Sequence, residues 1–409
     1  MVDSANSPAK IGNIVAIDGL RAWLAWTVVA AHLVYFTGLD SNSYLWGLVR
    51  VAGDSAVRMF MIICGFVIVG MLMERKESWL RYIIRRCFRI FPTYLVVLAC
   101  AAASMPIARD ALTHLSWMDH SAVGPNEFTL GLVSSVEASP WTHTILHALL
   151  LQGVIPNNLL ANSEFAFLPP AWSLSLEWQF YLIAPVLFAA LRRPTWSIFA
   201  IASIVGGAVF YNWGLFGEHA LPSVFFGAGP YFLIGVASRL VFADLLRKAL
   251  PPAALILALG ALGLLMGVKE IGLWFAFLVF LARRPGSFNW ADRIVDRIGD
   301  AAFESKLSNT LGVRSYSTYL VHYPIIQTLY YLLLPLQHFT RIEALGIIGV
   351  PAIVLTLFSS GLLYRYVERP MIRVGARLLD SRSSVSRIVS TERDINLNVP
   401  LRPSMERQS

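Results

Sequence analysis

The chain has 409 residues and a formal net charge of +8, with 56% hydrophobic and only 14% charged residues. A globular domain carries about a quarter charged residues, and the apolar runs of about twenty residues that recur here exceed what a soluble core can hide. The composition excludes an ordinary soluble enzyme and describes an all-α, polytopic membrane protein with a mean hydropathy of +0.60. The basic residues stand at the ends of apolar runs, where membrane topology puts them, so the charge is no sign of a nucleic-acid partner. Cys64, Cys87 and Cys100 lie in or beside apolar stretches without CxxC spacing, which argues against a disulfide framework and a zinc site. No metal is expected.

In chain order, residues 1–19 read as a cytoplasmic N-terminus. The first apolar run follows Asp18 and Arg21 and has no small-residue cleavage site, so it reads as a retained span. Ten transmembrane helices are predicted, at 20–38, 51–73, 90–108, 172–191, 195–213, 223–242, 251–268, 270–283, 313–335 and 343–366, within a membrane domain covering 20–375. Residues 109–171 form the longest outer-side segment, in which 143–155 is too short to cross and reads as an interfacial or re-entrant helix. The stretch 376–409 is Ser- and Arg-rich, has no apolar period, and reads as a disordered cytoplasmic tail. If the N-terminus is cytoplasmic, the outer side holds only Arg50, Arg109, Lys269 and Arg341. Arg58 lies within a span, and every other Lys and Arg of the 33 falls inside, so both termini are expected in the cytoplasm. No internal repeat points to a transporter of duplicated halves.

An ionisable group inside a span faces the protein interior and often marks function. On the first span Arg21 and His32 are eleven residues apart, close to three full helical turns, which puts both on one stripe separated by about 16 Å. Asp18 lies near the same stripe. His32 is either a packed polar residue or a base, since an imidazole titrates near neutrality and can take a proton from a hydroxyl. In ESWLRYIIRRCFRIFP, residues 77–92, Arg81, Arg85 and Arg89 follow i, i+4 spacing with Arg86 beside them, on a helix expected to end at Pro92. Arg81 reads as ordinary anchoring, whereas guanidinium groups at Arg85, Arg86 and Arg89 suit the phosphates of a cytosolic ligand.

In PPAWSLSLEWQFYLIAPV, residues 169–186, Glu177 sits within an apolar span beside Trp172, Ser173, Ser175, Trp178 and Gln179. It needs a partner such as a histidine, an arginine or a substrate hydroxyl, or serves as an interhelical bond. In RSYSTYLVHYPII, residues 314–326, Tyr316, Tyr319 and His322 recur at i+3. Most of the tyrosines read as interfacial anchors, and His322 as either core packing or chemistry. Glu368 in VERP is expected to pair with a cytoplasmic arginine.

These segments, in this order, resemble the acyltransferase-3 family, integral membrane enzymes that O-acetylate surface polysaccharides, exopolysaccharides and some small molecules. The likeness is carried by DGLRAWLAWTVVAAH (18–32), VRMFMIICGFVI (57–68), RRCFRIFP (85–92), WSLSLEWQFYL (172–182), YSTYLVHYPI (316–325) and VERP (367–370). The resemblance implies about ten helices, a bacterial plasma-membrane location, acetyl-CoA as cytosolic acyl donor, and Arg21 with His32 as the essential first-span pair. Arg86 and Arg89 match the family's paired arginines. Gly65 and Phe66 match a Ser-Gly-Phe segment in which Cys64 replaces the serine, and Ala22 replaces a glycine that often follows the first-span arginine. No soluble outer domain is expected after the last span.

The expected activity is therefore transfer of an acyl group from acyl-CoA to a hydroxyl of a glycan or lipid-linked sugar, within membrane lipid. His32, Arg21 and Glu177 are the expected catalytic residues, Arg85, Arg86 and Arg89 the donor-binding ones, and Asp18, Trp172, Tyr319 and His322 the supporting ones. His32 acts as general base or is itself acylated, and Glu177 orients His32 or the sugar. The rival readings are O-acylation of a small metabolite such as a macrolide, a secondary transporter with His32 and Glu177 in a proton relay, and a non-catalytic scaffold.

Overall fold

A computed structural model describes residues 15–41, 43–75, 77–112, 123–245, 252–283, 290–333 and 339–379. Its regular structure is entirely helical among the described residues: α1 Val15–Thr37, α2 Tyr44–Glu74, α3 Trp79–Leu112, α4 Val123–Ala138, α5 Pro140–Ala148, α6 Trp172–Leu191 and α7 Pro194–Asn212, followed by α8 Phe225–Leu245, α9 Pro252–Leu265, α10 Lys269–Ala282, α11 Trp290–Gly299, α12 Lys306–Val313, α13 Ser315–Leu333 and α14 Arg341–Leu363. Each of the ten predicted spans coincides with one of these helices. Seven of them (α1, α2, α3, α6, α7, α8 and α14) are long and apolar enough to cross a membrane. On α7, Ile198, Phe199 and Val205 are exposed, as a lipid-facing surface requires. The chain is a multi-pass membrane protein. The expected tail from residue 380 onward and residues 1–14 lie outside the described residues, while 376–379 continue the last helix, which runs on to Leu379.

Two predicted boundaries move for physical reasons. The arginine run does not end at Pro92: α3 continues through Pro92 and Pro106. Proline there removes only the bond its N–H would give to the carbonyl one turn earlier, and packing inside a helical bundle tolerates that. At the other end, α2 starts at Tyr44 and not near residue 51, so Arg50, Asp54 and Arg58 are all helical. Arg58, the cation left inside a span, finds Glu270 of α10 at 3.0 Å, the pairing that an intramembrane charge demands.

Helix α2 is the centre of the bundle, packed most closely on α8 and α1, while α13 joins α1, α3 and α14. The α2–α8 approach depends on two glycines. A Cβ on Gly235 would stand 1.9 Å from the Ile62 carbonyl oxygen, and one on Gly65 would stand 2.3 Å from that of Phe232. Small residues let backbones come this close where no hydrophobic effect drives helices together. Gly235→Ala is expected to destabilise the protein by about 1–3 kcal/mol through overpacking. Gly206→Ala, where nothing lies within 4 Å of the added carbon, is the neutral control; thermal unfolding in detergent measures both.

Within the outer-side segment, in which 143–155 is expected to be interfacial or re-entrant, the chain after α5 descends into the bundle. Trp79, at the start of α3, donates to the Leu182 carbonyl of α6 at 3.1 Å. Ser173 lies nine residues before Leu182 on α6, roughly 13 Å from that level, and it meets Tyr319 of α13 at 2.8 Å. Helix α6 therefore begins in the interior. In place of the single helix predicted at 143–155, α5 stops at Ala148 and Leu150 turns with φ 56°. The chain then reaches α6, where Ser175 donates to the Leu150 carbonyl at 2.7 Å.

Candidate functional site

His32 opens into a cavity of about 260 Å³, walled by Tyr35, Val57, Trp172, Tyr319 and Tyr323 and by Phe128 and Phe165 of the descending segment, with Arg50 and Asp54 of α2 also lining it. Pro169 and Pro170, just before α6, complete the wall. Arg50 is fixed at 2.8 Å from Asp40 and lies over the Tyr35 ring. Three sequence candidates thus share one cavity: His32, Trp172 and Tyr319. The fourth, His322, is fully buried one layer behind, with Nε2 3.3 Å from Nδ1 of His32.

The WSLSLEWQFY motif acts as a spine for this cavity. Ser173 and the Pro170 carbonyl hold the Tyr319 hydroxyl, Ser175 holds the descending loop, and Gln179 bonds the Ser223 carbonyl and the Phe225 amide at 2.8 Å each. A second anchor lies in the loop wall, where buried Glu164 accepts from Ser223, His219 and the Leu221 amide. Burial pushes the Glu164 carboxyl above the ordinary carboxylate range, against the opposing pull of the hydrogen bonds from Ser223 and His219. Tyr316 and Tyr319 are not interfacial anchors as expected. Tyr316 donates to the Ile90 carbonyl at 2.8 Å and the buried Tyr319 to the Pro170 carbonyl, so both phenols serve as interior donors.

Nearer the arginine-rich end lies a second polar cluster. Glu177 accepts from the Tyr181 hydroxyl, one turn along α6, and meets the Cys64 thiol at 3.8 Å. It does not pair with His32, whose neighbour is His322; the reading in which Glu177 orients His32 is corrected on this point. Arg21 stands 3.6 Å from Asp18, in electrostatic reach of Cys64 together with Arg86. Of the three arginines expected to hold a donor, two are committed. Arg85 bonds Glu77 at 2.9 Å, and Arg89 pairs with Glu368, whose other oxygen accepts from Ser317 at 2.6 Å. Arg86 lies across the Tyr82 and Tyr181 rings, touches the Met71 sulfur at 3.0 Å, and keeps a buried Nε without a hydrogen-bond partner among the described residues. A partly buried guanidinium whose buried Nε has no partner among the described residues is one that an anion would complete.

The pairing expected for Glu368 is therefore met by Arg89, across 279 residues of sequence and at the π-helical turn Tyr364–Glu368 that follows α14. Glu368→Ala strands Arg89 and Ser317; because Arg89 is 31% exposed, the expected cost is about 1–3 kcal/mol, below that of a wholly buried pair. Glu368→Gln is expected to cost less, in thermal unfolding of the two variants side by side.

The two clusters share helices. Arg21 and His32 lie on one stripe of α1, with the buried Ala25 and Val28 between them and Val28 reaching the cavity wall. On α2, Val57 lines the cavity and Cys64, seven residues on, occupies the same face roughly 10 Å closer to the arginines. Sequence reasoning missed Tyr35, Arg50, Asp54, Phe128 and Phe165. Arg50 and Asp54 are spaced i, i+4 on what proves to be α2, a signal that required the helix to start early; the two phenylalanines carry no spacing signal.

This arrangement, a helical bundle with a histidine-bearing cavity and a partly buried arginine cluster, is that of a membrane protein with an internal polar site, and comparison with known proteins fixes the family. The sequence profile of the acyltransferase domain known as acyltransferase-3 matches residues 14–365. The chain belongs to the acyltransferase-3 family. It is similar, at 23% identity over 92% of its length, to proteins of Staphylococcus aureus strains MRSA252 and COL that are named as supposed O-acetyltransferases. It is also similar, at 24% identity over 46% of its length and 42% of the relative's, to the acyltransferase MdmB of Streptomyces mycarofaciens. The chain spans 60% of the length of the Staphylococcus relatives. No solved structure matches it.

Proposed function

We propose that this protein carries an acyl group, acetyl in the simplest case, from acyl-CoA to a hydroxyl of a glycan or lipid-linked sugar across a bacterial plasma membrane. The observation that carries this reading is the alignment of the His32 cavity over the Arg86 cluster along common faces of α1 and α2. A nucleotide-bearing thioester arrives at the cytosolic, arginine-rich end, where Arg86 supplies the uncommitted guanidinium and Arg21 adds charge. Arg85 and Arg89 brace the site through Glu77 and Glu368, and Glu177 with Tyr181 lines the approach. The slender acyl-bearing arm of the donor has about 16 Å to span between the levels of Arg21 and His32, past Ala25 and Val28, which are closely packed in this structure and must part to admit it. His32 takes the proton of the acceptor hydroxyl as the oxygen bonds the acyl carbon, and the carbon–sulfur bond breaks.

Arg21 lies too far along α1 to touch the same carbonyl as His32, so its role is with the donor. The cavity suits a single sugar ring: aromatic faces at Tyr35, Trp172 and Tyr319 offer stacking surface, and Arg50 and Asp54 offer polar partners. Its small volume favours a sugar unit over a macrolide ring. Mass spectrometry of surface carbohydrate from cells with and without the gene tests the reading. Loss of an acyl-sized mass with the gene is the expected result, and unchanged carbohydrate counts against the glycan acceptor.

A further inference from the structure

A neutral imidazole carries one N–H and one bare nitrogen, and which is which is set by its neighbours. His32 Nδ1 lies 3.0 Å from the Val28 carbonyl, and His322 Nδ1 lies 3.3 Å from the Thr318 carbonyl. A carbonyl oxygen only accepts, so both Nδ1 atoms bear hydrogen. That leaves Nε2 of His322 bare, and it stands 3.3 Å from the His32 Nδ1. The His32 N–H is therefore shared between the Val28 carbonyl and His322. The remaining nitrogen of His32, Nε2, holds an unshared lone pair on the residue that lines the cavity. The two rings are 5.0 Å apart and tilted by 59°, with Tyr323 edge-on to His32 at 5.2 Å and Tyr319 at 5.8 Å from His322. Two tyrosines, both in the cavity wall, thus brace the pair.

We propose that His322 is the positioning residue of the transfer site: it accepts from His32 Nδ1 and holds that ring in the tautomer whose Nε2 serves as the base. The consequence for catalysis rests on the transfer reading above; the tautomer itself does not. In the reaction the acceptor's O–H proton passes to His32 Nε2, the oxygen forms its bond to the acyl carbon, and the thioester C–S bond breaks. The CoA sulfur leaves with the electron pair and receives the proton from His32 Nε2. While His32 is charged, the bare nitrogen of His322 faces its Nδ1–H and stabilises the imidazolium, as a fixed acceptor does in other base–orienter pairs. His322 is buried behind the cavity wall, so a defect there is transmitted through His32 and not through contact with the acceptor.

The test uses the full chain in detergent with ¹⁵N-labelled histidine, the His32 signals being assigned by their loss in His32→Gln. The expected wild-type spectrum shows a protonated Nδ1 and a bare Nε2 on His32. His322→Gln, whose amide oxygen can replace the accepting nitrogen, is expected to keep that tautomer, and His322→Leu to mix in the other. With labelled acetyl-CoA and surface carbohydrate in native membranes, His322→Leu is expected to lower turnover by about 100-fold with KM within about twofold, and His322→Gln to recover most of it. A protonated Nε2 in the wild type overturns the proposal, as does a His322→Leu protein with unchanged tautomer and turnover. If His32→Gln leaves transfer intact while the spectra agree, the transfer reading fails and the tautomer assignment stands.

Discussion

His32→Ala is expected to lower acyl transfer by about 10²–10⁴-fold, the contribution of a positioned general base, while leaving the chain folded. The ring is half-buried, bonds the Val28 carbonyl and His322 alone among the described residues, and fills part of a cavity instead of a packed core. Its removal leaves the Val28 carbonyl with its helical partner and strands only one nitrogen of His322, a structural cost of about 1 kcal/mol. Binding of CoA at the arginine end is expected to be unchanged, since Arg86 lies on a different cluster. Turnover of labelled acetyl-CoA in native membranes, with CoA binding measured on the same preparation, checks both halves. Activity within a few-fold of wild type would remove His32 from the chemistry.

Arg86→Ala is expected to act on the donor instead. A charge-assisted hydrogen bond to phosphate contributes about 1.5–3 kcal/mol, which corresponds to a KM for acetyl-CoA raised by about 10–100-fold with turnover little altered. The contrast with its neighbour is the sharper part of the prediction. Arg85 is held by Glu77 at 2.9 Å, so Arg85→Ala is expected to change KM by no more than a few-fold. Arg86→Lys is expected to recover little, because the guanidinium spans two tyrosine rings and presents a planar fork that an ammonium lacks. Equal effects at Arg85 and Arg86 would show that the cluster acts as diffuse positive charge and not through a single uncommitted group.

Hydropathy sufficed to place a helix at each of the ten predicted positions, seven of them long and apolar enough to cross, because lipid forces a spanning segment to satisfy its own backbone. The stripe joining Arg21 to His32 was equally legible, since it follows from helical geometry within one element. What could not be read was partnership across elements. Glu177 had three possible partners from sequence, and the packing of α6 against α2 brings it Cys64, beside Tyr181 of its own helix. His322 meets His32 across 290 residues of chain, a contact that no periodicity encodes. How residues 149–171 enter the bundle was hidden for another reason: polar and proline-rich chain gives no period, yet here its backbone is satisfied by Ser173 and Ser175 of α6 and by Ser223. Commitment of charge was also invisible. The three arginines expected to hold a donor look alike until Glu77 and Glu368, far apart in sequence, take two of them and leave Arg86.

Donor and acceptor entering from opposite ends of one bundle is the claim on which the rest depends, and sealed inside-out vesicles test it directly. In these vesicles the arginine-rich end faces the medium. Labelled acetyl-CoA is added outside, and surface carbohydrate is supplied either in the lumen or in the medium. The predicted result is label on the lumenal carbohydrate alone, abolished by His32→Ala and shifted to higher donor concentration by Arg86→Ala. Label appearing only on carbohydrate in the medium would place both substrates on one side and contradict the account.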